Sequence, residues 1–533
     1  MIRFALVALG ILAAAVTTAL SLAVSPWVWF AAVPLLIVAL TAVHDLIQTE
    51  HSILRNYPVL GRGRFAMEAI RPELQQYFIE RNYDGRPFDR DTRTTVYERS
   101  KGIHGEQAFG TERDVNEVGY EYLVHSTVPV PQQETPPRIV VGGPDCRHPY
   151  GMSLLNVSAM SFGALSANAI LALNKGAAAG GFAHDTGEGG LTRYHLEHGG
   201  DLIWEIGSGY FGARTPDGGF DPDQFAQKAA HDAVKCVSLK LSQGAKPGLG
   251  GVLPAAKVTK EIAAARGVPA GVKCVSPPYH RVFTTPRELV LFLARMRDLA
   301  GGKPVGFKLC LGSRIEFLAI CKAMVAEGVT PDFVVVDGSE GGTGAAPLEY
   351  EDHVGMPLTD GLILVHNALV GSGLRSRVRI GAAGKVATAA DIVKRIAQGA
   401  DYTNSARAMM MAVGCIQAMK CHTNRCPVGV ATQDPRRARA LNVEDKSVRV
   451  TQFQQATVEQ ALQMVASMGL HHPSELQPSL LMRRVDYTTT RSYAELYDWL
   501  KPGELIAEPP AQWVSDWDAA DPDHFGPFGV PSA

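Results

Sequence analysis

The chain has 533 residues, 46% of them hydrophobic and 20% charged, with a formal net charge of −2. That length suits one large domain with additions, and so balanced a charge supplies no field for a nucleic-acid partner. Eight cysteines in a chain this long exclude a small disulfide scaffold and point to a reduced compartment with one local metal or redox site.

Taken in chain order, residues 1–45 read as a transmembrane helical hairpin. No Asp, Glu, Lys or Arg lies between Arg3 and Asp45. Phe4–Val24 meets the roughly 20 apolar residues that a span needs. Ser25, Pro26 and Trp27 punctuate it, and Val28–Val43 forms a second, shorter run. Backbone in lipid must satisfy its own polar groups, so both runs are expected to be helical. Arg3 precedes the first run, Arg55, Arg62 and Arg64 follow the second, and the turn carries no cation. Both ends, and the catalytic body, are therefore expected on the cytoplasmic side of the cytoplasmic membrane. A cleaved signal peptide ending near Ala23–Ser25 is the alternative, opposed by the second apolar run that follows directly.

Residues 46–137 are polar and mixed, and read as a connecting segment wrapped on the main domain; Pro129, Pro131, Pro136 and Pro137 mark its end. From 138 to 440, strand-like runs alternate with helical patterns. The candidate strands are Asn156–Met160, Val237–Leu241, Gly271–Val275, Val305–Cys310, Phe333–Asp337, Val378–Gly381 and Tyr402–Asn404. Arg314–Glu327 and Ala389–Gln398 are clear helices between them. Such alternation argues for an α/β fold with a parallel sheet, and about eight repeats favour a closed (β/α)8 TIM barrel over an open sheet. Residues 441–533 form a C-terminal extension.

Glycine-bearing turns follow several candidate strands. Met160 and Ser161 open the first, which runs to Ser166. Gly341 and Gly342 lie in the second, Asp337–Gly344. Gly381, Gly384 and Lys385 form the third, and Ser405 and Arg407 follow the next strand. Each alone is an ordinary loop as readily as a site. In barrels, however, the loops after the last two strands often bind a phosphate through backbone N–H groups and a helix N-terminus. Gly384 lets backbone approach such a ligand, and Lys385 or Arg407 balances its charge, as an FMN phosphate requires.

Glu188, between glycines in Thr186–Gly190, is either a substrate-facing carboxylate or an exposed turn residue. Lys240, Gln243 and Lys246 follow a strand and suit a carboxylate substrate or a flavin ring. Lys308, inside Phe307–Cys310, needs a buried partner: a flavin pyrimidine, or an Asp or Glu. Cys415, Cys421 and Cys426 are spaced C-x5-C-x4-C and followed by Pro427. Three readings stay open for them: an iron–sulfur cluster, zinc with His422 as fourth ligand, or three structural cysteines.

Together, Ser158–Ser166, Thr186–Gly190, Gln243–Gly248, Gly341–Ala345 and Gly414–Gly429 resemble, in order and over about 140 to 435, the synthase domain of glutamate synthase. The apolar N-terminus, with His51–Pro58 and Val96–Arg99, is similar to the membrane-bound branch of FMN-binding glutamate synthase family proteins. The resemblance implies FMN and a 3Fe-4S cluster on Cys415, Cys421 and Cys426. It implies that Glu188, Lys240, Gln243 and Lys246 face substrate and flavin. The reaction implied is reductive amination of 2-oxoglutarate to glutamate.

Where that family usually reads Lys-Pro-Gly-Glu-Gly-Gly-Gln-Leu-Pro, this chain has Leu249 and Val252 in place of the Glu and Gln. That motivates a second expectation, an FMN oxidoreductase acting on another amino or oxo acid. A third is a membrane redox relay without substrate chemistry of its own. With no cysteine-nucleophile glutaminase domain and no Gly-x-Gly-x-x-Gly fingerprint, the chain is expected to need ammonia, free or from a glutaminase partner. It is also expected to need an electron donor, such as ferredoxin or a reductase subunit, as well as membrane lipid.

Overall fold

In the computed structural model, residues 2–103 and 105–526 are described. The Arg3 side chain, one of the flanks used to orient the N-terminus, lies outside them, as do residues 527–533 of the C-terminal extension. The chain divides into two units, Met1–Arg90 and Asp91–Ala533.

In the first unit, helices Ile2–Ala23 and Trp29–Ile47 flank a short 3-10 turn at Pro26–Val28 and pack on one another. Among the described residues, one helix is long and apolar enough to cross a membrane, Pro26–Ile47; the apolar stretch Val7–Ala23 is shorter. Of the expected pair of spans, one segment of full length thus stands among the described residues. It is the second run, which the sequence makes the shorter, that reaches spanning length, since the 3-10 turn at Pro26 continues directly into it.

The second unit is an eight-stranded closed parallel barrel. Its strands are β1 (Leu155–Val157), β2 (His184–Asp185), β3 (Leu202–Ile206), β4 (Val234–Lys240), β5 (Val305–Leu309), β6 (Phe333–Asp337), β7 (Arg379–Ala383) and β8 (Tyr402–Ser405). Each pairs with its sequence neighbours, and β8 closes onto β1 through Thr403↔Leu155. Crossover helices are set by their caps. Ser166 accepts from Ala169 N to start Ala167–Gly180, and Gly181 ends it at φ 65°. Thr285 and Glu288 form a capping box at Pro286–Leu299. The apolar core lies between barrel and helices, with Trp204, Phe225, Phe317 and Met324 fully enclosed.

Six of the seven expected strands are barrel strands. Gly271–Val275 is not: only Cys274–Val275 is extended, pairing antiparallel with Val252–Leu253 outside the barrel. The barrel's other two strands, β2 and β3, are not among those expected. β2 is two residues long and enters a Thr-Gly turn. β3, Leu-Ile-Trp-Glu-Ile, sits among glycines and carries an acidic residue that the barrel interior accommodates. In the extension, helix Val443–Ser467 packs on Ala167–Gly180. Gly176 makes that contact close, since a Cβ there would lie 2.7 Å from Ser447 O. Strand Leu481–Arg484 pairs antiparallel with Glu121–Leu123.

Candidate functional site

The C-terminal ends of the parallel strands open on one side, where loops carry the charged groups. Glu188, in the turn after β2, and Lys240, the last residue of β4, meet with Oε1 and Nζ 2.8 Å apart. Lys240 also donates to Gln243 Oε1. Only 15% of the Glu188 side chain and 9% of that of Lys240 reach solvent. Glycines make room for the carboxylate: a Cβ on Gly207 would approach Glu188 Oε2 to 2.5 Å. Burial raises the Glu188 carboxyl, but Lys240, Arg266 and Lys246 outweigh it and hold the group below the usual carboxylate range. Lys246 donates to Ala345 O at 3.0 Å. Burial, reinforced by the like charge of Lys240, brings its ammonium down to about 8.

Alternation along each strand sends the next polar layer into the barrel. Lys308 of β5 lies 3.3 Å from Glu205 Oε2 of β3 and 4.0 Å from Asp337 Oδ2 of β6. Burial disfavours its charge, but Glu205, Asp337 and Asp185 more than compensate and raise it above the ordinary lysine value. Asp185 is itself pushed well above the carboxylate range, first by burial and then by Glu205. Lys308 therefore has the carboxylate partner that the sequence leaves open. It spends one of three donors on it.

Sequence reasoning does not single out Glu205, Asp337 or Asp185. The available signal is the one that exposes Lys308, an ionisable residue inside or ending an apolar run. Nor does it find His280. The Nε2 of His280 lies 2.8 Å from Lys240 O and its Nδ1 3.2 Å from Tyr210 OH, so it braces the end of β4.

The loops after β6, β7 and β8 come together beside this layer. Gly341 N donates to Gly338 O at 2.8 Å. Arg407 donates to Glu340 O at 2.6 Å and lies against Gly342, where a Cβ would come 2.7 Å from Arg407 Nε. Gly384 has φ +144° and Lys385 φ +50°, backbone that favours glycine at the first position. Ser405 Oγ donates to Val386 O at 2.7 Å, tying the loops after β7 and β8 together. Asn404 Oδ1 is buried without a partner. Gly381 serves barrel packing instead, since a Cβ there would lie 2.7 Å from the Tyr402 ring. Met160 is buried and Ser161 partly so. Both back onto Gly187, whose Cβ would sit 2.6 Å from Ser161 N.

The cysteine loop follows helix Arg407–Ala412. Cys415 N donates to Met410 O at 2.9 Å, and Tyr97 OH donates to Cys415 O at 2.9 Å. Gln417, Met419 and Asn424 hold positive φ, a concentration of strained backbone in a short loop. All eight cysteines are unpaired thiols. Cys415, Cys421 and Cys426 lie within electrostatic reach of one another. Among the described residues, no group of three or more His, Cys, Asp or Glu side chains is placed to hold one metal ion. Lys257, which no sequence signal marks, is buried beside Cys421 and Cys426 and donates to Ala164 O at 2.9 Å.

Fold and site together define a (β/α)8-barrel protein with a charged mouth and a thiol loop. The chain belongs to the family defined by the conserved region in glutamate synthase, whose model matches residues 148–471. It is 39% identical over 483 residues to the glutamate synthase large subunit-like protein YerD of Bacillus subtilis (strain 168), covering 83% of this chain and 91% of that one. It is 35% identical over 315 residues to an archaeal-type glutamate synthase [NADPH] of Thermotoga neapolitana, spanning 59% of each chain. Among solved structures, mandelate oxidase overlays with a TM-score of 0.40 at 14% identity, covering 70% of this chain and 88% of that one.

Proposed function

We propose that the protein is a flavin and iron–sulfur oxidoreductase that forms glutamate from 2-oxoglutarate and ammonia. The observation that carries this reading is the Glu188–Lys240–Gln243 cluster at the barrel mouth, with Lys246 beside it and Lys308 beneath. Family membership supports it, and so does the name of the archaeal-type relative.

The residues fit FMN on two counts: the unpartnered Asn404 Oδ1, and the left-handed Gly384–Lys385 turn tied to Ser405 and flanked by Arg407. Backbone of Gly342 and Gly384 with Lys385 and Arg407 would hold the phosphate. Lys308 has donors left for the ring's electron-rich edge, and Met160 and Ser161 would line its other side. Cys415, Cys421 and Cys426 would carry the 3Fe-4S cluster. Bound FMN would supply hydride chemistry, and a cluster there one-electron transfer.

The chain's own residues do the rest. Lys240 and Lys246 pair with the substrate carboxylates. Ammonia attacks the ketone carbon; ionised Glu188 takes a proton from the attacking nitrogen and the Lys246 ammonium gives one to the oxygen, forming a carbinolamine. After Glu188 returns its proton to Lys246, the same pair moves a second proton from nitrogen to oxygen, so water leaves and an imine forms. As the imine is reduced, Lys246, reprotonated from solvent, would give the nitrogen its proton.

Ammonia comes free or from a glutaminase partner, and electrons from ferredoxin or a reductase subunit. Pro26–Ile47, with Ile2–Ala23 as a companion span, would anchor the body at the cytoplasmic face of the membrane.

The test is glutamate formation by the full chain in detergent from 2-oxoglutarate, ammonia and a reduced donor, lost in Glu188→Gln. No turnover with any donor would contradict the reading. A second reading, a different oxo acid, is favoured by Leu249 and Val252. Val252 neighbours Gly251, which packs against Glu188, so the rim there is apolar where the related motif is polar. Flavin reoxidation by a panel of oxo acids with ammonia separates the two.

A further inference from the structure

Helix Arg62–Leu74, continued by the π turn Gln75–Ile79, presents an apolar stripe that nothing within its own unit covers. Met67, Ile70, Leu74 and Phe78 recur at i, i+3, i+7 and i+11, the spacing of one helical face. They are 63%, 47%, 40% and 81% exposed. The flank beside the stripe carries Arg64 and Glu68, paired at 2.8 Å, together with Arg71. Single exposed apolar side chains are ordinary, but a continuous stripe of this length marks an interaction face.

What covers it follows from where the helix begins. Asp45 lies within a turn of the C-terminal end of the membrane-length helix Pro26–Ile47, and its carboxylate is fully enclosed. It accepts from Val59 N at 3.0 Å and from Arg62 Nε at 3.1 and 3.0 Å. That clamp fixes the first turn of the amphipathic helix to the end of the membrane-length helix, hence to the level where hydrocarbon meets headgroups. An amphipathic helix starting at that level, with arginines along its polar flank, has the composition of a segment lying in the interface.

We propose that Arg62–Ile79 is an interfacial helix whose Met67, Ile70, Leu74 and Phe78 face lies in the bilayer surface. The inference rests on reading Pro26–Ile47 as a span. The helix would carry the chain from that span along the membrane plane before the barrel begins.

The test uses the full chain reconstituted in phosphatidylcholine–phosphatidylglycerol nanodiscs, with the photocrosslinker p-benzoylphenylalanine replacing Ile70, Leu74 or, as a polar-flank control, Glu68. Adducts are mapped by mass spectrometry, and membranes bearing the chain are washed in alkaline carbonate. The expected result is phospholipid adducts at positions 70 and 74, severalfold above those at 68. Adducts to peptides from residues 91–533, or to a second copy of the chain, would overturn the inference. So would an absence of lipid adducts in a chain that stays with the membrane after washing, and the span would then stand without the interfacial helix. Release by the wash would instead remove the span, while the adduct pattern would still decide the helix.

Discussion

Glu188 and Lys240 face each other at 2.8 Å across the barrel mouth, one from the turn after β2 and the other from the end of β4. Neither strand neighbours the other, so the pair reports on the assembled barrel. It holds the carboxylate ionised beside the ammonium, as the proposed proton transfers require. Removing one partner leaves a nearly enclosed charge without its mate. Glu188→Gln and Lys240→Met are each expected to lower kcat by about 10²–10⁴-fold. The double variant should lose far less than the product, because the two residues act as a unit. Steady-state kinetics on the three variants checks this.

Lys308 shares a buried layer with Glu205, Asp337 and Asp185, which together hold its charge. Lys308→Met should destabilise the barrel by about 3–5 kcal/mol, as breaking a buried ion pair does. Adding Glu205→Gln should recover part of the loss. Urea unfolding followed by circular dichroism measures both; a Lys308→Met barrel as stable as the parent would show that the layer does not depend on this charge.

The Lys246 ammonium, brought down to about 8 by burial and Lys240, acts as a proton donor in the proposed reaction. Activity should therefore fall as pH rises through about 8, where the group loses its proton. Lys246→Met should lower the rate and remove this limb from the pH profile. A profile that keeps its alkaline limb in the variant would assign the limb to another group.

Four histidines are kept neutral: His184, His195 and His280 are buried and His366 is half-buried, and burial takes His195 well below its ordinary value. Burial lowers His184 to about 3, His280 to about 4 and His366 to about 4, from an ordinary value of 6.5. The unfolded chain takes up their protons first, so the stability they contribute is complete above about pH 6.5 and is lost as pH falls from there toward 3–4. Melting temperature should decline steadily across that window, and less steeply in His184→Leu, whose ring nitrogens have no partners to lose. A flat melting profile between pH 6.5 and 4 would contradict this.

The parts of the molecule legible in the sequence are those written in a short local pattern. β6 is legible residue for residue because Phe333–Asp337 is a continuous apolar run ending in a carboxylate. β2 escapes because two residues carry no period, and Gly271–Val275 is misplaced because an apolar run does not reveal which sheet it joins. In the site, Glu188 and Lys240 are legible from their glycine and strand contexts. Glu205 is not: its meaning depends on Lys308, about a hundred positions away, and only barrel closure brings the two within 3.3 Å. His280 and Lys257 act through backbone contacts that no spacing encodes. Gly381 shows the converse, a glycine in a promising turn whose freedom is consumed by Tyr402.

In the proposed enzyme one barrel holds both FMN and a cluster on Cys415, Cys421 and Cys426. The most direct test is the visible spectrum of the anaerobically purified full chain, with flavin and iron quantified after extraction. The expected result is flavin bands over a broad iron–sulfur shoulder, with about three irons per flavin, the shoulder and the iron being lost in Cys421→Ala while the flavin remains. A colourless protein that takes up neither group on reconstitution would contradict it.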